Sequence, residues 1–272
     1  MTIPQPLLNA AKSHRIIPFI GAGFSRVFNL PSWSQLIDEI SGLMGYDPEI
    51  ANLYGDFLQL AEFLSIENNG LNDLKSQLDR SFNSSTIDIS KSDAHLLLTQ
   101  LHAKTIYTTN WDSLIERSFA HRGIQINKIV TFNDFINADP KRTSVIKFHG
   151  DLTSSEQTLI FTESSYYGRL DFESPVDIRL RSDMLGNVLL FVGYSLSDFN
   201  LRYMWFKLQK LMAREKLTKR QDPFAYIVMA KPNPIFESIC RNSRNIEVIS
   251  LDPIDTQNSL ISLMQELVNQ AN

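Results

Sequence analysis

The sequence holds 272 residues, 43% of them apolar and 10% aromatic, with 11 glycines and 11 prolines. That composition excludes disorder and collagen-like structure, and the length predicts one or two domains with a large core. A net charge of −4 marks no polyanion as a general partner, so no direct nucleic-acid binding is expected, and the single cysteine, Cys240, excludes an internal disulfide and a cysteine-built zinc site.

Along the chain, residues 1–19 carry no basic leader and are interrupted by Lys12 to Arg15, so they do not read as a signal peptide. The longest clean apolar run, Val188 to Val192, is far short of the ~20 residues that span a bilayer, and a cytoplasmic protein without membrane contact is expected. Strands are predicted at Arg15 to Ile20, Thr105 to Thr108, Val145 to Phe148, Val188 to Val192, Phe224 to Met229 and Ile246 to Ile249, each rich in β-branched or aromatic residues. Pro18 cannot donate to a central ladder, so the first strand either starts after it or turns its nitrogen to a side where no partner is needed.

The next helix has Ser32 as N-cap with Gln35 completing a capping box, and Trp33, Leu36, Ile37, Ile40 and Leu43 on one face. Two amphipathic segments follow with no strand between them: Leu53, Phe57, Leu60, Ala61 and Leu64, then Leu71, Leu74 and Leu78. They predict a helical insertion over about 45–95, with a polar loop at Phe82 to Ser92 and a helix at Asp93 to Leu101. Residues 162–187 read as a small helical segment, and a last helix spans about Thr256 to Gln270. The stripes Phe199, Tyr203, Phe206 and Met204, Leu208, Leu211 read as core or interface, and Cys240 as a buried apolar residue. The alternation of short apolar runs with helical periods predicts a single α/β unit over 1–272, built on a Rossmann-like, mostly parallel sheet with helices on both faces.

Four predicted strands end in small or polar groups: GAGFS from Gly21, TTNWD from Thr108, HGD from His149 and GYSLSD from Gly193. Parallel strands bring all four to one carboxyl edge, where open α/β sheets bind ligands. In GAGFS, the glycines Gly21 and Gly23 flank Ala22 and let backbone N–H groups approach an anion, with Ser25 adding a hydroxyl; a diphosphate fits, and so does a plain tight turn. Arg26 in place of a third glycine, and the lack of a following G-K-[ST], disfavour a hydride-transfer dehydrogenase and a P-loop nucleotidase. Asn110 can donate and accept at once, suiting a ribose hydroxyl or water; Asp112 can accept from an amide or cap a helix. His149 beside Gly150 suits general-base work, whereas His14, His95, His102 and His121 read as structural. Gly193 allows close backbone approach, and Ser195 with Asp198 can bind hydroxyls or cap the helix near Phe199.

Taken together and in this order, GAG-x-S, TTNWD, KFHGD and VGYSLSD resemble the sirtuin family over roughly Ile16 to Asp198. Leu30-Pro31-Ser32-Trp33, Phe161-Thr162-Glu163 with Tyr166, and GYSLSD followed by Asn200 and Arg202 are most similar to the bacterial sirtuin-like NAD hydrolases of anti-phage defence. The resemblance implies Asn110 and His149 as catalytic pair, with NAD, the substrate, held by Gly21, Ala22, Gly23, Ser25, Thr109, Asp112, Gly193 and Ser195. It implies cleavage to nicotinamide and ADP-ribose without metal. The deacylating sirtuins carry a four-cysteine zinc ribbon after the histidine-glycine motif; here no ribbon can form, the proline-aspartate-phenylalanine-arginine segment is missing, and Thr109 stands where they carry glutamine. An NAD-dependent protein deacylase and a non-catalytic NAD or ADP-ribose sensor remain the alternatives. A toxic hydrolase must be restrained, and no separate sensor domain is expected after the sirtuin-like core. Control is therefore expected from homo-oligomerisation or from a separate protein, such as a HerA-type ATPase or an Argonaute-like subunit.

Overall fold

The computed structural model describes residues 2–31, 33–155, 158–194, 199–214, 223–231 and 233–272. Helix α1 (Gln5–Lys12) leads into β1 (Ile16–Ile20) and a 3-10 helix at Ala22–Phe28. Helices only follow: α2 (Trp33–Met44), α3 (Pro48–Tyr54), α4 (Phe57–Glu67), α5 (Asn72–Phe82) and α6 (Asp93–Leu98). Then come β2 (Thr105–Thr108), α7 (Leu114–His121), β3 (Asn127–Ile129), α8 (Phe132–Ile136), β4 (Ser144–Lys147), α9 (Glu163–Tyr167) and α10 (Pro175–Asp183). The chain continues through β5 (Val188–Val192), α11 (Phe199–Arg214), β6 (Ala225–Met229), α12 (Pro234–Arg244), β7 (Ile246–Ser250) and α13 (Thr256–Ala271).

The seven strands form one parallel sheet in the order β3-β4-β2-β1-β5-β6-β7. The six predicted strands are all present, and the three-residue β3 is an edge strand that its sequence does not announce. β1 starts at Ile16, ahead of Pro18, and the second alternative for that proline holds. The Gly21 N–H points to Val192 on β5, so by alternation the Pro18 nitrogen faces β2, where pairing begins only at Phe19.

Central strands are buried on both faces. One face packs Leu7 of α1, Leu98 of α6, Ile115 of α7 and Leu263 and Leu267 of α13. The other packs Leu180 of α10, Met204, Trp205 and Leu208 of α11 and Cys240 of α12. Cys240 is thus the buried apolar residue expected of it, and burial pushes its thiol pKa up. On α11, Met204 and Leu208 are core and Tyr203 packs against them as expected, and one position departs. Trp205 is buried and donates to the Arg244 carbonyl at 2.8 Å, which leaves Phe206 facing solvent; the side chains of Phe199 and Leu211 lie outside the described residues.

A third core joins Leu36 and Ile40 of α2 to Leu60 and Leu64 of α4 and Leu74 and Leu78 of α5. It also takes in Trp111, Leu152 and Phe161, so the helical insertion is seated on the sheet's carboxyl edge. The first predicted insertion helix is two. The chain breaks at Gly55 and Asp56, which caps α4 by accepting from the Leu58 and Gln59 N–H groups, and Leu53 ends up on α3, exposed. Ser32, the expected cap of α2, lies outside the described residues.

Candidate active site

β1 has β2 on one side and β5 on the other, so the chain reverses its winding between β1 and β5, and the carboxyl ends of these strands open the crevice where such sheets bind ligands. At that point the Gly23 N–H donates to the Gly193 carbonyl at 2.9 Å. A Cβ on Gly21 would stand 2.6 Å from the Gly193 oxygen, and one on Gly193, whose φ is +68°, 2.1 Å from the Phe24 nitrogen. These glycines are therefore needed first for backbone-to-backbone contact between the two turns, with the Gly23 N–H spent there. Ala22 and Gly23 themselves stay exposed at the crevice.

Ser25, Asn110 and Asp112 are buried together beside it. The Thr108 hydroxyl donates to the Ile20 carbonyl at 2.9 Å and accepts the Asn110 N–H at 3.0 Å, and the Thr109 N–H reaches the same Ile20 carbonyl at 3.3 Å. The turn after β2 is thereby tied to β1. Asn110 Nδ2 donates to Ser25 Oγ at 3.3 Å, and Ser25 Oγ donates to Asp112 Oδ2 at 3.3 Å. Asp112 Oδ1 accepts the Leu114 N–H at 3.0 Å, so Asp112 is also the cap of α7. Asn110 Oδ1 is buried without a hydrogen-bond partner among the described residues.

His149 stands two residues beyond the end of β4 and is buried. Its carbonyl accepts from the Trp111 indole at 3.2 Å and from the Ile160 N–H at 3.0 Å, and its ring meets Tyr166 edge to face at 5.4 Å. Gly150 turns the chain at φ +82°, where a Cβ would stand 2.1 Å from the Thr158 oxygen. Arg169 lies over the Phe148 ring, donates to the Phe148 carbonyl at 2.7 Å and pairs with the buried Asp177 at 2.7 Å.

Below this floor is a buried ionic cluster that sequence spacing does not reveal. Lys147 Nζ donates to the Asp112 carbonyl and pairs with Glu116 at 3.3 Å and Asp151 at 3.4 Å; Lys128 pairs with Asp151 at 2.9 Å. Burial pushes the Asp112 carboxyl above the usual range against the pull of Lys147. Burial also opposes the Lys147 charge, yet Glu116, Asp112 and Asp151 together raise its pKa. Asp151 is held low: its burial is outweighed by Lys147, Lys128 and Thr153. The one signal in the sequence is a lysine placed inside an apolar run, Val145-Ile146-Lys147-Phe148.

The structure thus gathers the predicted Gly21, Ala22, Gly23, Ser25, Thr109, Asn110, Asp112, His149 and Gly193 at one edge of the sheet. Ser195 and Asp198 lie outside the described residues. Of the other histidines, His95 is buried behind the turn after β1 against Ser92, Phe24 and Phe28, His102 contacts His14 and Asn272, and His121 ends α7. Among the described residues no group of three or more His, Cys, Asp or Glu is placed to hold a metal, and no helix is long and apolar enough to cross a membrane.

A SIR2-like domain model matches residues 104–249, more than half of the chain and with both the Asn110 and His149 segments inside it. The chain belongs to the SIR2-like domain family. It is 28% identical over 212 residues to the NAD(+) hydrolase ThsA of Cytobacillus dafuensis, covering 78% of this chain and 41% of that protein. It is 29% identical over 201 residues to the ThsA of Bacillus cereus (strain MSX-D12), covering 73% and 40%. Defense-associated sirtuin 2 of Bacillus subtilis is 25% identical over 229 residues, covering 80% of this chain and 22% of its own length. This SIR2-like chain therefore spans about two fifths of the length of the ThsA relatives it matches. In structure it superposes on two point variants of a Sir2 homologue solved as ADP-ribose complexes, with TM-scores of 0.54 and 0.53 at 14% identity, covering 99% of this chain and 96% of theirs. That likeness shows the fold.

Proposed function

We propose that this SIR2-like chain is an NAD hydrolase domain that cleaves NAD to nicotinamide and ADP-ribose, serving in the cytoplasm as the NAD-depleting effector of an anti-phage defence system. The observation that carries the proposal is the Asn110 carboxamide. Its nitrogen is held by Ser25 while its buried oxygen is left without a partner among the described residues, beside the β1/β5 crevice. A buried acceptor left unpaired costs about 1–3 kcal/mol, a cost that a ribose hydroxyl or a bound water removes. The names of the ThsA relatives and of the defence-associated sirtuin support the same reading.

Nicotinamide departs as a neutral group from a cationic ring, so the site has to hold the nucleotide, orient the ribose and supply water to an oxocarbenium-like centre. In this reading the Gly21–Ser25 turn and Gly193, with Ser195 and Thr109, take the diphosphate and its ribose, and Asp112 takes the carboxamide of the leaving nicotinamide. Asn110 positions the nicotinamide ribose or the attacking water. The bond from C1′ of that ribose to the pyridinium nitrogen breaks, water oxygen bonds to C1′, and His149 accepts the proton that water gives up. Restraint of the activity is assigned to self-association or to a separate sensor protein, with HerA-type ATPase and Argonaute-like subunits as candidates.

The test is release of nicotinamide and ADP-ribose from NAD by the purified chain at several protein concentrations, beside Asn110→Ala and His149→Ala. Both variants are expected to melt as the parent does and to lose activity by about a hundredfold or more, the scale of a positioned acid-base group. Specific activity that rises with concentration supports assembly. Parent-level turnover by both variants, or no binding of NAD, overturns the assignment.

A further inference from the structure

Main-chain bonds place His149 but do not orient its ring. Its carbonyl accepts from the Trp111 indole and the Ile160 N–H, and both bonds leave the imidazole free to turn about its two side-chain torsions. Ring contacts restrict that turning. Phe148, the preceding residue, lies at 5.9 Å with its own ring under the Arg169 guanidinium, and Tyr166 of α9 comes edge to face at 5.4 Å and 67°. Such pairing is directional, so a fixed Tyr166 favours one plane of the imidazole over the others.

Tyr166 is fixed from outside its own helix. α9 has five residues, too few to be stable alone, and the N–H groups of its first turn have no acceptor inside the helix. Within the segment, the Thr162 hydroxyl accepts the Ser165 N–H at 3.3 Å, and the Ser165 hydroxyl accepts the Phe161 and Thr162 N–H groups at 2.9 Å each. The Ser164 N–H goes to the insertion, donating to Glu62 Oε2 of α4 at 2.9 Å, and Gln59 Nε2 of α4 donates to Glu163 Oε1 at 3.4 Å. Phe57, at the start of α4, meets the Phe161 ring at 4.9 Å. α4 therefore carries the segment that brings Tyr166 to His149.

We propose that Tyr166 is a positioning residue for NAD cleavage: its ring keeps the His149 imidazole in the plane from which it accepts the proton of water, and the helical insertion holds Tyr166 there through Glu62. The assignment rests on the NAD-hydrolase reading of His149, and it gives the insertion a part in the reaction beyond covering the sheet edge.

The test measures steady-state nicotinamide release beside the His149 ring resonances of the whole chain labelled with carbon-13 histidine. Tyr166→Leu is expected to lower kcat about fivefold to tenfold, the scale of one aromatic pair, with KM within about threefold. Its His149 resonances are expected to broaden or split as the ring turns. Tyr166→Phe, which keeps the ring, is expected to restore both readouts. Glu62→Ala is expected to move both in the same direction, and Glu62→Gln, which keeps an oxygen for the Ser164 N–H, to restore them; this pair of variants, at a partly exposed position, decides alone if Tyr166→Leu does not fold. An unchanged kcat in Tyr166→Leu and Glu62→Ala, a lower kcat with the His149 resonances unaltered, or a Tyr166→Phe chain as slow as Tyr166→Leu overturns the proposal. A parent that cleaves no NAD yet shows the resonance changes removes the hydrolase reading and keeps the hold of Tyr166 on His149. An active parent without those changes does the reverse.

Discussion

Gly193→Ala tests the claim that the turns after β1 and β5 are locked by backbone contact. The new methyl carbon would stand 2.1 Å from the Phe24 nitrogen and 2.8 Å from the Gly21 oxygen. Neither obstacle is a side chain that can rotate away. Holding an L-residue at φ +68° costs about 1–2 kcal/mol, and forcing a methyl into a filled space about 1–3 kcal/mol more. A loss of about 3 kcal/mol is expected, seen as a melting temperature lower by roughly 6–12 °C for a chain of this size. Nicotinamide release should fall with it, because the displaced turn carries Ser25. Gly42→Ala is the control: Gly42 is exposed on α2 with nothing within 4 Å of its would-be Cβ, and the change is expected to stabilise by up to about 1 kcal/mol. Urea unfolding of the three proteins decides. A Gly193→Ala chain within about 0.5 kcal/mol of the parent would refute the interlock.

His95 should make stability depend on pH. Burial holds its folded pKa at about 3 against 6.5 when unfolded, so the unfolded state takes up the proton first, and stability present above pH 6.5 is lost as pH falls, by about 2 kcal/mol at pH 5. His95→Phe should flatten that slope in urea titrations at the two pH values; an unchanged slope would assign the effect elsewhere. Arg169→Met leaves Asp177 buried without its cation and frees the Phe148 carbonyl, so a loss of roughly 3 kcal/mol is expected by urea unfolding, with Asp177→Asn in the same chain recovering part of it. Trp111→Phe deletes the indole bond to the His149 carbonyl, which keeps the Ile160 N–H; a cost of about 1 kcal/mol and a drop in nicotinamide release are expected, and unaltered turnover would show that this bond does not position His149.

The central strands were legible because a strand covered on both faces is a run of apolar residues, as Val188 to Val192 shows. β3 was not, because an edge strand of Asn127, Lys128 and Ile129 carries a single apolar residue. Strand ends pointed to the site, since small and polar groups after apolar runs are visible in one dimension. The ionic cluster beneath it depends on Glu116, Lys128 and Asp151 arriving from three elements, a convergence that spacing cannot encode. The glycines drew the eye for a partly different reason than the one that governs them, for their lack of a Cβ serves contact between two turns 172 positions apart in the chain. On α11 the expected Met204 and Leu208 do reach the core, where Trp205 joins them, and Phe206 faces solvent.

The position of β1 in the sheet bears on synthesis. It is made long before its neighbour β5, yet its longest pairing, from Ile16 to Ile20, is with Val188 to Val192. A nascent chain that ends before Val188 has the Asn110 and His149 segments already polymerised but no partner along that side of β1, and no Gly193 to receive the Gly21 turn. The β1/β5 crevice thus closes only once β5 and the Gly193 turn have been made, and a product that stops short of them lacks that wall of the candidate site.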